Sequence, residues 1–276
     1  MINVPPTSDH DEADLGTAAG VTDRGLRHQR NEDAMALGSE QTPDGLVVVA
    51  VVCDGVSSSA RPDEASRAAV QAALPVLLEA VRNGGDLAEA SVAAVVAGRR
   101  SVAGLGEPEG ERSATTFVSA VAARGDVTLC WLGDSRAYWL AAAGSQSGSV
   151  QLTRDDSVAG GMVEAGLATE EVAMALPHAH VLTRWLGAEA ADLDGDPNRA
   201  PHVEQYAPPG VGVVLVCSDG LWNYLPDAAE LARLALPRAL TDPLGAANDM
   251  VRFAVDAGGA DNITAVLIPY PAPETS

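Results

Sequence analysis

Four times in this chain an apolar run with the make-up of a buried strand is bounded by an aspartate. The runs read Val51-Val52-Cys53-Asp54-Gly55, Trp131-Leu132-Gly133-Asp134-Ser135 and Val216-Cys217-Ser218-Asp219-Gly220, with Ala260-Asp261-Asn262 directly ahead of Ile263. A lone Asp-Gly after a strand is ordinarily a turn, because both residues tolerate turn conformations. Four acids flanking core-like runs ask for more. The strands must be buried while their charged ends stay at a rim, where the four carboxylates can converge. A carboxylate cluster without thiolate or imidazole suits hard cations with oxygen shells, which puts magnesium or manganese ahead of zinc.

The rest of the pattern points to a mixed α/β chain with antiparallel sheets. Runs rich in β-branched and aromatic residues predict strands at 46–53, 115–122, 127–132, 136–140, 213–217 and 263–268. The short spacing between 115 and 140 implies hairpins. Small or apolar residues at three-to-four spacing predict helices at 63–81, 87–102, 158–165, 227–236 and 243–255. Asp227 followed by Glu230 has capping-box spacing, and Asp242-Pro243 reads as an N-cap with proline at the first helical position. Residues 1–16 carry turn formers and charge but no periodic apolar face, so a disordered tail is expected there. One folded domain is expected over 17–270, with a second tail at 271–276. Residues 144–149 read as a flexible hairpin tip and the acidic stretch 189–196 as a solvated loop.

Charge narrows the partners. With 17 Lys+Arg against 38 Asp+Glu the formal charge is -21, so most of the surface repels polyanions. Nucleic acid and anionic membrane are therefore not expected as partners. Bound divalent cations can reverse the field in one cleft, so an acidic chain can still admit an anionic substrate. Cys53, Cys130 and Cys217 each lie in an apolar run and form no CxxC pair, which reads as core packing instead of a disulfide or a zinc site. No run reaches the ~18 apolar residues of a membrane span, and the N-terminal stretch lacks a basic-then-apolar leader. A cytoplasmic monomer is the expectation.

Seven segments then fall in series: Arg30-Asn31-Glu32-Asp33-Ala34, Cys53-Asp54-Gly55, Ser113-Ala114-Thr115-Thr116, Gly133-Asp134-Ser135-Arg136-Ala137-Tyr138, Leu152-Thr153-Arg154-Asp155-Asp156-Ser157, Cys217-Ser218-Asp219-Gly220-Leu221-Trp222 and Asp261-Asn262-Ile263-Thr264. In that order and spacing they resemble the metal-dependent serine/threonine protein phosphatases of type 2C (PPM), bacterial members included, over about residues 20–269. The resemblance implies a four-layer α-β-β-α sandwich with two central antiparallel sheets and a flap at about 153–187. It also implies hydrolysis of phosphoserine and phosphothreonine in proteins, with two or three Mn2+ or Mg2+ ions. The substrate would be a protein phosphorylated by a cytoplasmic serine/threonine kinase. By the same resemblance Asp54 bridges two metals with the Gly55 carbonyl assisting, and Asp219 and Asp261 complete the catalytic set. Glu32 binds near the second metal, Asp134 shares a weaker third with Asp219, and Asp33 and Asn262 stand behind the ligands. For Asp134 the alternative is a strand-end cap bonded to Ser135 and Arg136. Paired cations ~3.5–4 Å apart lower the pKa of a shared water and offset charge on the transferring phosphoryl group, so no protein nucleophile is required. The β-branched strand setting of Thr115 and Thr116 marks them for packing and backbone bonding.

The departures bear on function. Where the family carries an arginine three residues before the asparagine of its acidic motif, this chain has His28, flanked by Arg27 and Arg30. If residues 27–32 are extended, His28 and Arg30 share a face with Glu32 while Arg27 points away. Arg30, assisted by His28, is then the expected phosphate holder, with Arg27 the third candidate. The flap histidines His178 and His180 are expected to shape access instead of binding metal, and Arg184-Trp185-Leu186-Gly187 to anchor the flap. Two rivals remain at this point: a catalytically weak or inactive scaffold module of the same fold, and a phosphatase of small phosphate esters.

Overall fold

A computed structural model describes residues 2–3, 9–105, 112–123, 125–144, 148–187 and 200–271. Along the chain run β1 (Ile2–Asn3), β2 (His10–Asp14), β3 (Ala19–Asp23), β4 (Asp33–Thr42), β5 (Gly45–Asp54), α1 (Pro62–Asn83), α2 (Leu87–Ala103), β6 (Ala114–Thr115), β7 (Phe117–Ala122), β8 (Val127–Leu132), β9 (Arg136–Ala141) and β10 (Val150–Gln151). There follow α3 (Val158–Glu164), α4 (Glu170–Met174), β11 (Leu186–Gly187), β12 (His202–Tyr206), β13 (Gly212–Cys217), α5 (Asp219–Trp222), α6 (Ala228–Ala239), α7 (Pro243–Asp256) and β14 (Ile263–Tyr270).

Two six-stranded antiparallel sheets, ordered β1-β4-β5-β7-β8-β12 and β10-β9-β13-β14-β3-β2, stack face to face. The valine strand β5 shows why. Its alternate residues Val47, Val49 and Val51 pack toward α1 and α2, while Val48, Ala50 and Val52 pack toward the second sheet. A strand buried on both faces must be apolar at every position, which is why it lacks the polar alternation of a half-exposed strand. In β13 the same division sends Val214 and Val216 between the sheets and Val213, Leu215 and Cys217 toward α6 and α7. Three apolar layers separate four structural ones, the expected α-β-β-α sandwich.

Helices α6 and α7 begin at the caps read from the sequence, Asp227 and Asp242, and α2 has a third cap in Asp86. The carboxylates of Asp86, Asp227 and Asp242 each accept a backbone N–H three residues on, from Glu89, Glu230 and Gly245, at 2.9 Å. Each such cap satisfies an amide that the first turn would otherwise leave bare. All three cysteines are free and buried, as expected. Burial pushes their thiols up, that of Cys130 to about 12.

The expected disordered tail at 1–16 is corrected at two places. Residues His10–Asp14 form an edge strand paired with β3, His10 opposite Asp23 and Asp14 opposite Ala19, and Ile2–Asn3 pair with β4. Only Ala13 of β2 is buried, so the strand is held by backbone pairing and leaves no apolar face to read. β3, β4 and β12 were likewise not expected. Residues 145–147 of the hairpin tip at 144–149, the whole loop at 189–196 and all but the first residue of the tail at 271–276 lie outside the described residues.

Candidate active site

Antiparallel register brings the separated acids to one edge. In the β4–β5 pair Asp33 lies opposite Asp54. In the second sheet Cys217 pairs with Arg136 on one side and Ala265 on the other, so the start of β9, the end of β13 and the start of β14 share a rim. There Asp54, Gly55, Asp134, Asp219 and Asp261 line one cleft of about 540 Å³, together with His180, Leu182 and Trp185 from the flap. Gly55 has no room for a side chain: a Cβ would stand 2.4 Å from the Pro62 carbonyl oxygen and 2.7 Å from that of Glu32.

Glu32, Asp33 and Asn262 sit behind that wall. Glu32 is 7% exposed, and its Oε2 accepts from Ser57 Oγ at 2.5 Å. Asn262 Oδ1 accepts the Glu32 N–H at 2.8 Å, and its amide donates to the carbonyls of Arg24 and Arg30 at 2.8 and 3.1 Å. One side chain thereby ties the loop before β4 to the start of β14. Asp33 Oδ2 accepts from Ser218 Oγ and Thr264 Oγ1, each at 2.7 Å.

The acids destabilise one another's ionised forms. Burial, opposed by the Thr264 and Ser218 hydroxyls and aided by Asp261 and Asp219, pushes Asp33 up to about 7. Burial and the charge of Asp261 push Asp219 up to about 7. Asp54 is raised well above the carboxylate range by burial, Asp33 and Asp219, and Asp134 by burial and Asp219. Two oxygens, Asp33 Oδ1 and Asp219 Oδ1, are buried without a hydrogen-bond partner among the described residues. Mutual repulsion and orphaned carboxylate oxygens are what a divalent cation resolves, and a donor set dominated by carboxylate oxygens fits magnesium or manganese. The residues therefore fit the expected ions.

The flap contributes one donor that spacing did not point to. A ring nitrogen of His180 and carboxylate oxygens of Asp134 and Asp219 lie within 4.8 Å of one another. The imidazole stacks on Trp222 with centroids 6.1 Å apart, and the Trp222 indole donates to the Asp134 carbonyl at 2.9 Å. Beneath, the Arg136 guanidinium lies 3.7 Å from the centre of the Trp222 ring and grips Asp155 through two bonds of 2.9 and 2.8 Å. The anchor expected at 184–187 forms: β11 pairs with β6, and Leu186 is buried in the core beneath α1 and α2. Thr115 and Thr116 act as expected, Thr115 Oγ1 donating to the Asp54 carbonyl at 2.8 Å and Thr116 Oγ1 accepting the Asp54 N–H at 2.9 Å.

The segment 27–32 is not the extended strand that the alternation argument assumed. Residues 25–27 turn and residues 29–30 bend. His28 and Arg30 still approach Glu32, His28 Nδ1 at 3.9 Å and Arg30 Nε at 3.1 Å, because the loop folds back on it. His28 Nε2 lies 3.0 Å from Asp261 Oδ1, and Arg30 also faces Asp63 at 3.4 Å. Arg27 is exposed, and none of Arg27, His28 and Arg30 lines the cleft.

Comparison with known proteins adds independent findings. The profile of a family described as protein phosphatase 2C matches residues 24–248. The serine/threonine protein phosphatase PstP of Mycobacterium tuberculosis is 29% identical over 252 residues, covering 90% of this chain and 44% of its own length. This chain thus spans less than half of that relative. The serine/threonine phosphatase stp of Listeria innocua is 28% identical over 251 residues, with 90% and 93% covered. Among solved structures, the PPM Ser-Thr phosphatase MsPP of Mycobacterium smegmatis, in complex with cacodylate, is 28% identical with a TM-score of 0.65, covering 93% of this chain and 99% of its own.

Proposed function

Because the chain belongs to the protein phosphatase 2C family, we propose that it hydrolyses phosphoserine and phosphothreonine esters of proteins with the aid of divalent cations. The observation that carries this reading is the convergence of Asp54, Asp134, Asp219 and Asp261 on one cleft wall. Asp54, Asp219 and Asp261, with the Gly55 carbonyl and Glu32, would hold two cations, and Asp134, Asp219 and His180 a third. When bound, magnesium or manganese supplies an activated water and offsets negative charge developing on the phosphoryl group.

The chain's own part is to gather the acids and keep them oriented. Asn262 holds the Glu32 loop against β14, and Ser218 and Thr264 fix Asp33. Thr115 and Thr116 lock the backbone at Asp54, which leaves neither hydroxyl free to act as a nucleophile. Arg30 and His28 steady Glu32 and Asp261, and either can hold the substrate phosphate by exchanging partners. Partly exposed ion pairs are worth about 0–1 kcal/mol, so that exchange is inexpensive. The partner is a phosphorylated protein, the product of a serine/threonine kinase in the same compartment, and the acidic surface disfavours nucleic acid.

A scaffold module is the reading that His28 in the arginine position favours, and the intact acids on the cleft wall oppose it. Turnover of a phosphothreonine peptide and of 4-nitrophenyl phosphate, each with manganese, magnesium or EDTA, separates the cases. We expect cation-dependent hydrolysis of both. Hydrolysis of the small ester alone would remove the protein-substrate reading, and cation binding without any turnover would leave a scaffold.

A further inference from the structure

An anionic ester entering the cleft meets four carboxylates on its wall. Among the described residues that line the cleft, a single one carries a fixed positive charge, Arg112. Its backbone is well placed. The segment 112–116 runs beside 54–60, with the Ala60 N–H donating to the Arg112 carbonyl at 3.3 Å, Val56 N–H to Ala114 at 2.9 Å, and Thr116 N–H to Asp54 at 2.7 Å. Arg112 thus stands four residues from the threonine that locks Asp54, across from the Ser57–Ser59 turn.

Arg112 is exposed, and its guanidinium has no hydrogen-bond or ion-pair partner among the described residues. The other cations near the mouth lie outside the cleft lining and would first have to leave a carboxylate partner, His28 leaving Asp261, Arg30 leaving Glu32 and Asp63, and Arg61 leaving Glu64 at 3.2 Å, an exchange that Arg112 does not need. With the cleft acids assigned to cations, the charge that arrives to pair with Arg112 is the substrate's own. We propose that Arg112 is a substrate-binding residue that grips the phosphoryl oxygens of a phosphomonoester dianion. The inference rests on the phosphatase reading for its substrate. A guanidinium stays charged at neutral pH and presents paired N–H donors to phosphate oxygens, a geometry that lysine does not reproduce.

The test uses the manganese-loaded full chain as wild type and as Arg112→Ala, Arg112→Lys and Arg30→Ala variants. Binding of inorganic phosphate is measured by calorimetry, beside KM and kcat for a phosphothreonine peptide and 4-nitrophenyl phosphate. Loss of Arg112 should weaken phosphate binding and raise both KM values by roughly ten- to a hundredfold, with a smaller change in kcat. Lysine should recover part of the loss. Manganese stoichiometry and melting temperature should stay at wild-type values, which a merely structural role would not predict. The proposal falls if phosphate affinity and the small-ester KM stay within about twofold of wild type. It falls also if only the peptide KM moves, since Arg112 would then meet a flanking side chain, or if Arg30→Ala alone shows the effect. A wild type that binds phosphate through Arg112 yet hydrolyses nothing would instead refute the phosphatase reading and leave the binding assignment standing.

Discussion

Asp54 and Asp219 each face more negative charge than positive, so in the cation-free chain a neutral substitute relieves repulsion. With cations the balance inverts, because a lost carboxylate removes charge that the ions need. Asp54→Asn and Asp219→Asn should therefore lower kcat by more than the ~10²-fold typical of losing an outer partner of a metal ligand. Circular dichroism should stay native, and the cation-free melting temperature should hold or rise. Wild-type turnover of either variant at saturating manganese would contradict the assignment. At this scale His180 is the unexpected residue. Its ring is oriented by Trp222, and Trp222 by Arg136 and the Asp134 carbonyl, a chain of contacts invisible from the spacing of single residues.

Between residue and fold, two of the flap's several attachments to the sheets lie deepest in the protein. One is the buried Arg136–Asp155 pair at 2.8 Å, whose Arg136 is 2% exposed. The other is the short β6–β11 ladder, with Leu186 inserted in the core. The flap's own core is small, built on Ala159, Ala173 and Ala179, and cannot hold the segment alone. Leu186→Ala should cost about 2–5 kcal/mol in urea unfolding. It should also speed amide exchange between residues 157 and 183 more than in β5 or β13. Uniform loss of protection across both sheets would show that the flap is no separate unit of stability.

Across the molecule, pH and cations act on the same acids. Asp33 and Asp219 hold protons up to about 7 in the folded chain against a starting value of 3.8. Between those limits the folded chain binds protons that the unfolded chain has released. The associated stability is thus fully present below the unfolded pKa and is lost as pH rises through the folded one. The cation-free protein should melt at progressively lower temperature from about pH 4 to 7. On the proposed function manganese would bind the assembled, ionised cluster and hardly the unfolded chain, so its stabilisation should be greater at the upper end of that range. Scanning calorimetry in EDTA and in manganese checks both signs, and a flat cation-free profile would show that the acids are not raised. No helix among the described residues is long and apolar enough to cross a membrane.

Much of this was legible in the sequence because its causes are local or repeat along the chain. A strand covered on both faces, such as β5, must be apolar throughout, and a helix capped by Asp227 or Asp242 carries its cap within three residues. The aspartates bounding the valine-rich and tryptophan-containing runs announced the rim on which the acids gather. Tertiary structure alone decided the rest. β2 and β12 are edge strands held by pairing to β3 and β8, and backbone pairing leaves little trace in side-chain type. Asn262 reaches Glu32 across 230 positions. Arg30 is committed to Glu32 and Asp63 while Arg112 remains without a partner among the described residues, a contrast set by which loops fold past one another. Sequence specifies what each residue can bond, and only the assembled sheets and loops determine which partners come within reach.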